Sequence, residues 1–118
     1  MDRNEMMLRT REFALRVVRL WQALPQRGDA AVLGKQLLRC GTSVGANYRA
    51  ACHAKSAADF VAKLKICEEE ADESEYWMDL LVAAEIVPAA RMEALMAEAH
   101  EIASILTAAA RTAKKNLK

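Results

Sequence analysis

Apolar residues recur along this chain at alternating steps of four and three, the spacing of one face of an α-helix. Four segments carry the pattern, and short polar breaks separate them. The first runs from about Glu5 to Leu24, with Phe13, Val17, Leu20 and Leu24 as its stripe and Met7, Ala14, Val18 and Trp21 widening it. Pro25 ends it, because the residue before a proline disfavours the helical region. Gln26 to Asp29 reads as a turn, with Asp29 the expected N-cap of the next helix.

The second segment spans about Ala30 to Ala54. At 100° per residue, Leu33, Leu37, Cys40, Val44, Tyr48 and Ala51 share one face. Lys35, Arg39, Thr42, Arg49 and His53 share the opposite one. A flank of Gly34, Gly41, Gly45 and Cys52 lies between them. Glycine inside a helix costs about 1 kcal/mol relative to alanine, so two in mid-helix imply a very close packing partner. That partner is another helix of the same bundle or a neighbouring subunit; on the second reading Gly41 and Gly45 are oligomer contacts.

Ser56 is the expected N-cap of the third segment, with Asp59 three residues on, a variant of the capping box. That segment runs from about Ala57 to Glu85, and Phe60, Leu64, Cys67, Ala71, Ser74, Met78 and Leu81 keep a coiled-coil-like spacing. Glu68, Asp72, Glu75 and Asp79 stack beside them. A second apolar side, Ile66, Trp77, Leu80 and Ala84, marks Trp77 and Leu80 as candidate contacts with another copy. The fourth segment starts at Pro88 and carries Met92, Leu95, Ala99, Ile102, Leu106, Ala109 and Ala113. Its basic end, Arg111 to Lys118, suits a helix C-terminus.

Four amphipathic helices with short links predict an all-α, up-down-up-down four-helix bundle, a single domain over residues 1–118. The 118 residues are 53% apolar but only 5% aromatic, so Ala, Leu and Met must fill the core. No apolar run reaches the roughly 20 residues that span a bilayer, and the first residues are charged rather than signal-like. The expectation is a cytoplasmic protein with no membrane association.

Charge is distributed unevenly. Residues 1–55 hold ten Lys/Arg and four Asp/Glu; residues 56–118 hold seven and twelve. The basic stripe of Lys35, Arg39, Arg49 and His53, with Arg9 and Arg16 nearby, is the candidate nucleic-acid contact, since Lys and Arg bind phosphates with little sequence preference. Two other readings stay open: the stripe pairs with the carboxylates of a neighbouring copy, or it is a solvated face.

Nothing points to catalysis. A dimetal bundle needs Glu-x-x-His pairs, yet Ala50 and Ala97 stand three residues before His53 and His100. Ser43 has no neighbouring base and is expected to bond a backbone carbonyl. Gly41 and Gly45 follow no strand, so they form no phosphate loop. Cys40, Cys52 and Cys67 lack metal or disulfide spacing and read as small apolar groups. No metal or cofactor is expected.

The central stretch carries Gln36-Leu37 with Arg39, then Thr42-Ser43-Val44-Gly45-Ala46-Asn47, Lys55-Ser56 with Phe60, Leu64, and the run Glu73 to Leu81. In that order these residues resemble the four-helix-bundle proteins of the bacterial rRNA intervening-sequence family, related to the accessory protein of diversity-generating retroelements. The resemblance implies a left-handed bundle assembled as a ring-like homopentamer. It also implies a link to RNA or DNA through basic surface, and a protein partner such as a reverse transcriptase for the retroelement branch. Where the family often has an acidic residue and Gly after the Asn, this chain reads Tyr48-Arg49-Ala50-Ala51.

Overall fold

The computed structural model describes residues 1–117. Its four helices are α1 (Arg3–Ala23), α2 (Gly28–Cys52), α3 (Ala57–Ala83) and α4 (Ala89–Lys115). Each packs on the next, and α1 meets α4 only lightly to close the bundle. The result is a rod of 48 × 21 × 21 Å. One end holds the start of α1, the α2–α3 turn and the end of α4. The other holds the α1–α2 and α3–α4 turns.

The four-three pattern places most of the core, although Leu20, Leu33 and Phe60 are only half-buried and α1 turns Met6 and Thr10 inward rather than Met7. Phe13 and Val17 of α1, Leu37, Cys40 and Val44 of α2, Leu64, Cys67, Ala71, Met78 and Leu81 of α3, and Met92, Ala99, Ile102 and Leu106 of α4 are all buried. Near its end α4 turns Ala110 inward rather than Ala109, because a straight helix drifts from the strict seven-residue repeat over several turns.

The caps follow from local chemistry. Asp2 Oδ1 accepts from the Glu5 amide at 2.9 Å and starts α1. Leu24 is extended, as its place before Pro25 requires. Ser56 Oγ accepts from the Asp59 amide at 3.0 Å, and Asp59 Oδ2 accepts from the Lys55 amide at 3.1 Å. This is the reciprocal cap expected there, closing on Lys55.

Asp29 is not the N-cap of α2. Gly28 has φ +63, so the chain turns there, and α2 begins after an extended Arg27 with no capping side chain. Asp29 instead sits in the first turn, where its negative charge suits the helix N-terminus.

The glycine flank of α2 faces α1 of the same chain. A Cβ at Gly41 would lie 2.8 and 2.9 Å from the two Val17 methyls, and one at Gly45 would lie 3.3 Å from Thr10 Oγ1. The missing side chains therefore admit a neighbouring helix of the bundle, and the reading of Gly41 and Gly45 as subunit contacts gives way to this internal one.

Candidate nucleic-acid interface

Of the basic residues expected in or beside one stripe, Arg9 and Arg39 turn to other helices of their own chain. Arg9 on α1 turns to α4, where its Nε and Nη2 donate to the two Glu98 carboxylate oxygens at 2.8 Å each. Glu101 lies 2.9 Å from the same guanidinium. The paired hydrogen bonds from Arg9 hold the Glu98 carboxyl below its usual range, and Arg16 adds to that effect from a distance. Arg39 on α2 reaches across to α3, pairing with Glu73 and lying 3.4 Å from Glu70. Arg9 and Arg39 therefore already have carboxylate partners in their own chain. If the stripe pairs with a neighbouring copy, one of the three readings open in the sequence, its partners there are Glu68, Asp72, Glu75 and Asp79; within its own chain Arg39 meets Glu70 and Glu73. A helical wheel gives the angle of a side chain but not which charges meet at the same height.

Lys35 and Arg49 remain exposed on α2. His53 caps α2, its Nδ1 2.9 Å from the Arg49 carbonyl. Arg49 borders a groove of about 480 Å³ between α1 and α2, lined by Met7, Leu8, Ala14 and Gly45, with Arg11 also at its edge.

The polar residues of the central motif are satisfied locally. Thr42 Oγ1 donates to the Leu38 carbonyl at 2.7 Å, Ser43 Oγ to the Arg39 carbonyl at 2.7 Å, and Asn47 Nδ2 to the Ser43 carbonyl at 2.8 Å. Ser43 thus does what was expected of it, bonding back along its helix. Among the described residues, no three His, Cys, Asp or Glu side chains are placed to hold a metal ion. Burial pushes the Cys67 thiol up to about 12 and raises that of Cys40 as well, which suits small apolar groups rather than nucleophiles.

Trp77 lies half-buried on the α2–α3 seam. Its indole N–H donates to Glu73 Oε2 at 3.0 Å, the same oxygen that Arg39 engages. Tyr76 packs edge-on against it at 5.1 Å. Leu80 is half-buried one turn further along. Val32, Ile66 and Tyr76 on these two helices are 62%, 42% and 56% exposed.

The fold also rearranges the charge in a way the linear halves conceal. Residues 1–12, 41–69 and 103–117, which build the end with the α2–α3 turn, carry ten Lys/Arg and six Asp/Glu. The remaining described residues carry six and ten. The cations at the basic end include Lys65 on α3 and Arg111, Lys114 and Lys115 on α4. In the sequence the α4 residues read only as a helix terminus; their meeting with Lys65 depends on the α3–α4 pairing.

A model of the 23S rRNA-intervening sequence protein family matches residues 2–108. The chain is also similar to a solved structure from Bacteroides thetaiotaomicron, described as a protein of unknown function from the S23 ribosomal protein family. That match has 39% identity, covers 94% of this chain and 99% of the other, and superposes with a TM-score of 0.88. No curated protein matches the chain. No helix among the described residues is long and apolar enough to cross a membrane.

Proposed function

The chain belongs to the 23S rRNA-intervening sequence protein family, and from that premise we propose that it is a self-assembling, non-enzymatic accessory protein that holds RNA or DNA through basic surface. The observation that carries this reading is the cluster of exposed cations at one end of the rod. Lys65, Arg111, Lys114 and Lys115 make no ion pair among the described residues. Exposed cations left without carboxylate partners are available to phosphates, and binding by them depends on charge rather than base sequence.

Assembly is supported by the outer side of α2 and α3. Exposed Val32, Ile66 and Tyr76 accompany the half-buried Trp77 and Leu80 there. Apolar residues gathered on one side of a small domain mark a contact surface. A ring of five copies, as the sequence resemblance implies, would repeat the basic end and raise its effective affinity. The cytoplasm, and kinship with the retroelement accessory protein, belong to the same proposal.

Fluorescence anisotropy with labelled RNA and DNA, at low and then moderate salt, tests the nucleic-acid reading. Binding at low salt that weakens as salt rises supports it; no binding at low salt removes it.

A second reading is favoured by the α1–α2 groove. Its apolar floor, with Leu8 63% exposed at the edge, suits a protein segment, such as one from a reverse transcriptase. On that reading the chain recruits a protein and has no affinity for nucleic acid.

A further inference from the structure

Resting on the nucleic-acid reading above, we propose that the phosphate backbone sits in the shallow depression between the first half of α3 and the last turns of α4, held by Lys65, Arg111 and Lys114. The depression has a volume of about 240 Å³ and is lined by these three cations with Val61, Glu68, Thr107 and Ala110. Glu68 offsets one of the three charges. The remainder is positive, and all three cations are exposed.

A helix C-terminus alone does not account for this cluster. The macrodipole favours cations within the last turn of a helix, which covers Lys114 and Lys115. It does not cover Lys65, which lies on α3. Arg111 lies a turn before the end of α4. Intrahelical pairing does not account for it either. Lys65 has Glu68 and Glu69 three and four residues on, yet it forms no salt bridge with either, whereas Lys63 is bound to Asp59 at 2.6 Å.

The lining indicates which polyanion fits. The apolar members are the buried Val61 and Ala110, so there is no exposed large side chain to enter a membrane or to anchor a peptide. No aromatic ring lines the depression, so bases have nothing to stack on. What remains is a recess with a cation on each wall, which suits a backbone of regularly spaced phosphates and gives sequence-tolerant binding.

The test compares wild type with three full-length variants by anisotropy on a labelled RNA duplex and a labelled DNA duplex over a salt series. In the first, Lys65→Gln, Arg111→Gln and Lys114→Gln are combined. Affinity at low salt should fall about tenfold or more, and the salt slope should shrink by about one for each cation removed. In the second, Lys65→Arg, Arg111→Lys and Lys114→Arg keep the charges and should keep wild-type binding. In the third, Lys35→Gln with Arg49→Gln should leave affinity within about twofold.

If wild type binds and the first variant binds equally well, the depression is not the site, although the protein still binds nucleic acid. If wild type binds neither duplex at low salt, the functional reading fails and the site with it. If wild type instead binds vesicles containing phosphatidylserine and neither nucleic acid, the basic end is a lipid surface and the proposal is overturned.

Discussion

Arg9 on α1 and Glu98 on α4 form a two-pronged ion pair, 2.8 Å at each prong, across the seam where the bundle's helices touch least. Both side chains are about four-fifths buried. The pair therefore ties α1 to α4 in the seam where the two helices otherwise approach least. Arg9→Met should destabilise the fold by about 1–2 kcal/mol, because the largely buried Glu98 carboxylate loses its charged donor. Arg39→Met should have the smaller effect, about 0–1 kcal/mol, since Arg39 is half exposed. Urea unfolding of the two variants checks this order.

The same pair gives the pH dependence a sign. Glu98 is held below its ordinary value of 4.5 chiefly by the hydrogen bonds from Arg9. As pH falls the unfolded chain takes up a proton at this carboxyl before the folded one does. The stabilisation is therefore complete above about 4.5 and is lost as pH drops through the lower folded value. Melting temperatures of wild type and Arg9→Met should differ at neutral pH and converge on acidification below that point. A difference that persists in acid would mean the pair is not its source.

Gly41 and Gly34 separate rigid from yielding contacts. A Cβ at Gly41 meets both methyls of Val17, a branched side chain with little freedom, whereas one at Gly34 meets the far end of Leu24 at 2.7 Å. Alanine gains about 1 kcal/mol in a helix over glycine. At Gly41 overpacking, about 1–3 kcal/mol, should outweigh that gain. At Gly34 a rotation of Leu24 should relieve the contact and leave the variant near wild type. Thermal melts showing Gly34→Ala as the worse of the two would contradict this account.

Glu85 ends α3 with φ 62, the left-handed region that favours glycine, while the Ile86 amide donates to the Leu81 carbonyl at 3.0 Å. That is a glycine-type helix stop built with a glutamate. Glu85→Gly should stabilise the protein by about 0.5–1 kcal/mol, the relief of a left-handed side chain less the greater freedom of the unfolded glycine. Unfolding by urea measures it.

The three thiols should differ in reactivity. Cys40 and Cys67 are buried and Cys52 is half-buried at the end of α2. A thiol reagent should modify Cys52 in the native protein and reach the other two only on unfolding. Rapid modification of all three would mean that the core opens readily.

How much of this was legible in the sequence depended on the kind of contact. The positions of Val17, Leu37, Leu64 and Ile102 in the core follow from spacing alone, because burial of an apolar face needs only the helical angle. Ser56 was readable because its partner, Asp59, is three residues away. Arg9 with Glu98 was not, since 89 residues separate them and only packing brings them level. The same holds for Lys65 with Arg111. Asp29 failed as a cap because the turn took its bend at Gly28, a choice made by the α1–α2 connection as a whole. Gly41 and Gly45 announced a close approach correctly, but their spacing could not say whose helix approached.

Self-association has its own test in the outer side of α2 and α3. Light scattering should give wild type a mass several times 13.1 kDa. Val32→Glu combined with Leu80→Glu should shift it toward that single-chain mass, with helical content unchanged, because charges on a contact face are costly to bury. A wild-type protein that is monomeric at micromolar concentration would remove the assembly part of the proposal.

Sedimentation velocity of a fluorescently labelled RNA mixed with the full chain reads binding and assembly together. At low salt the label should move with a complex larger than one protein chain bound to the RNA, and it should return to the rate of free RNA as salt is raised. A label that sediments as free RNA at low salt, with the protein in large excess, would contradict the account.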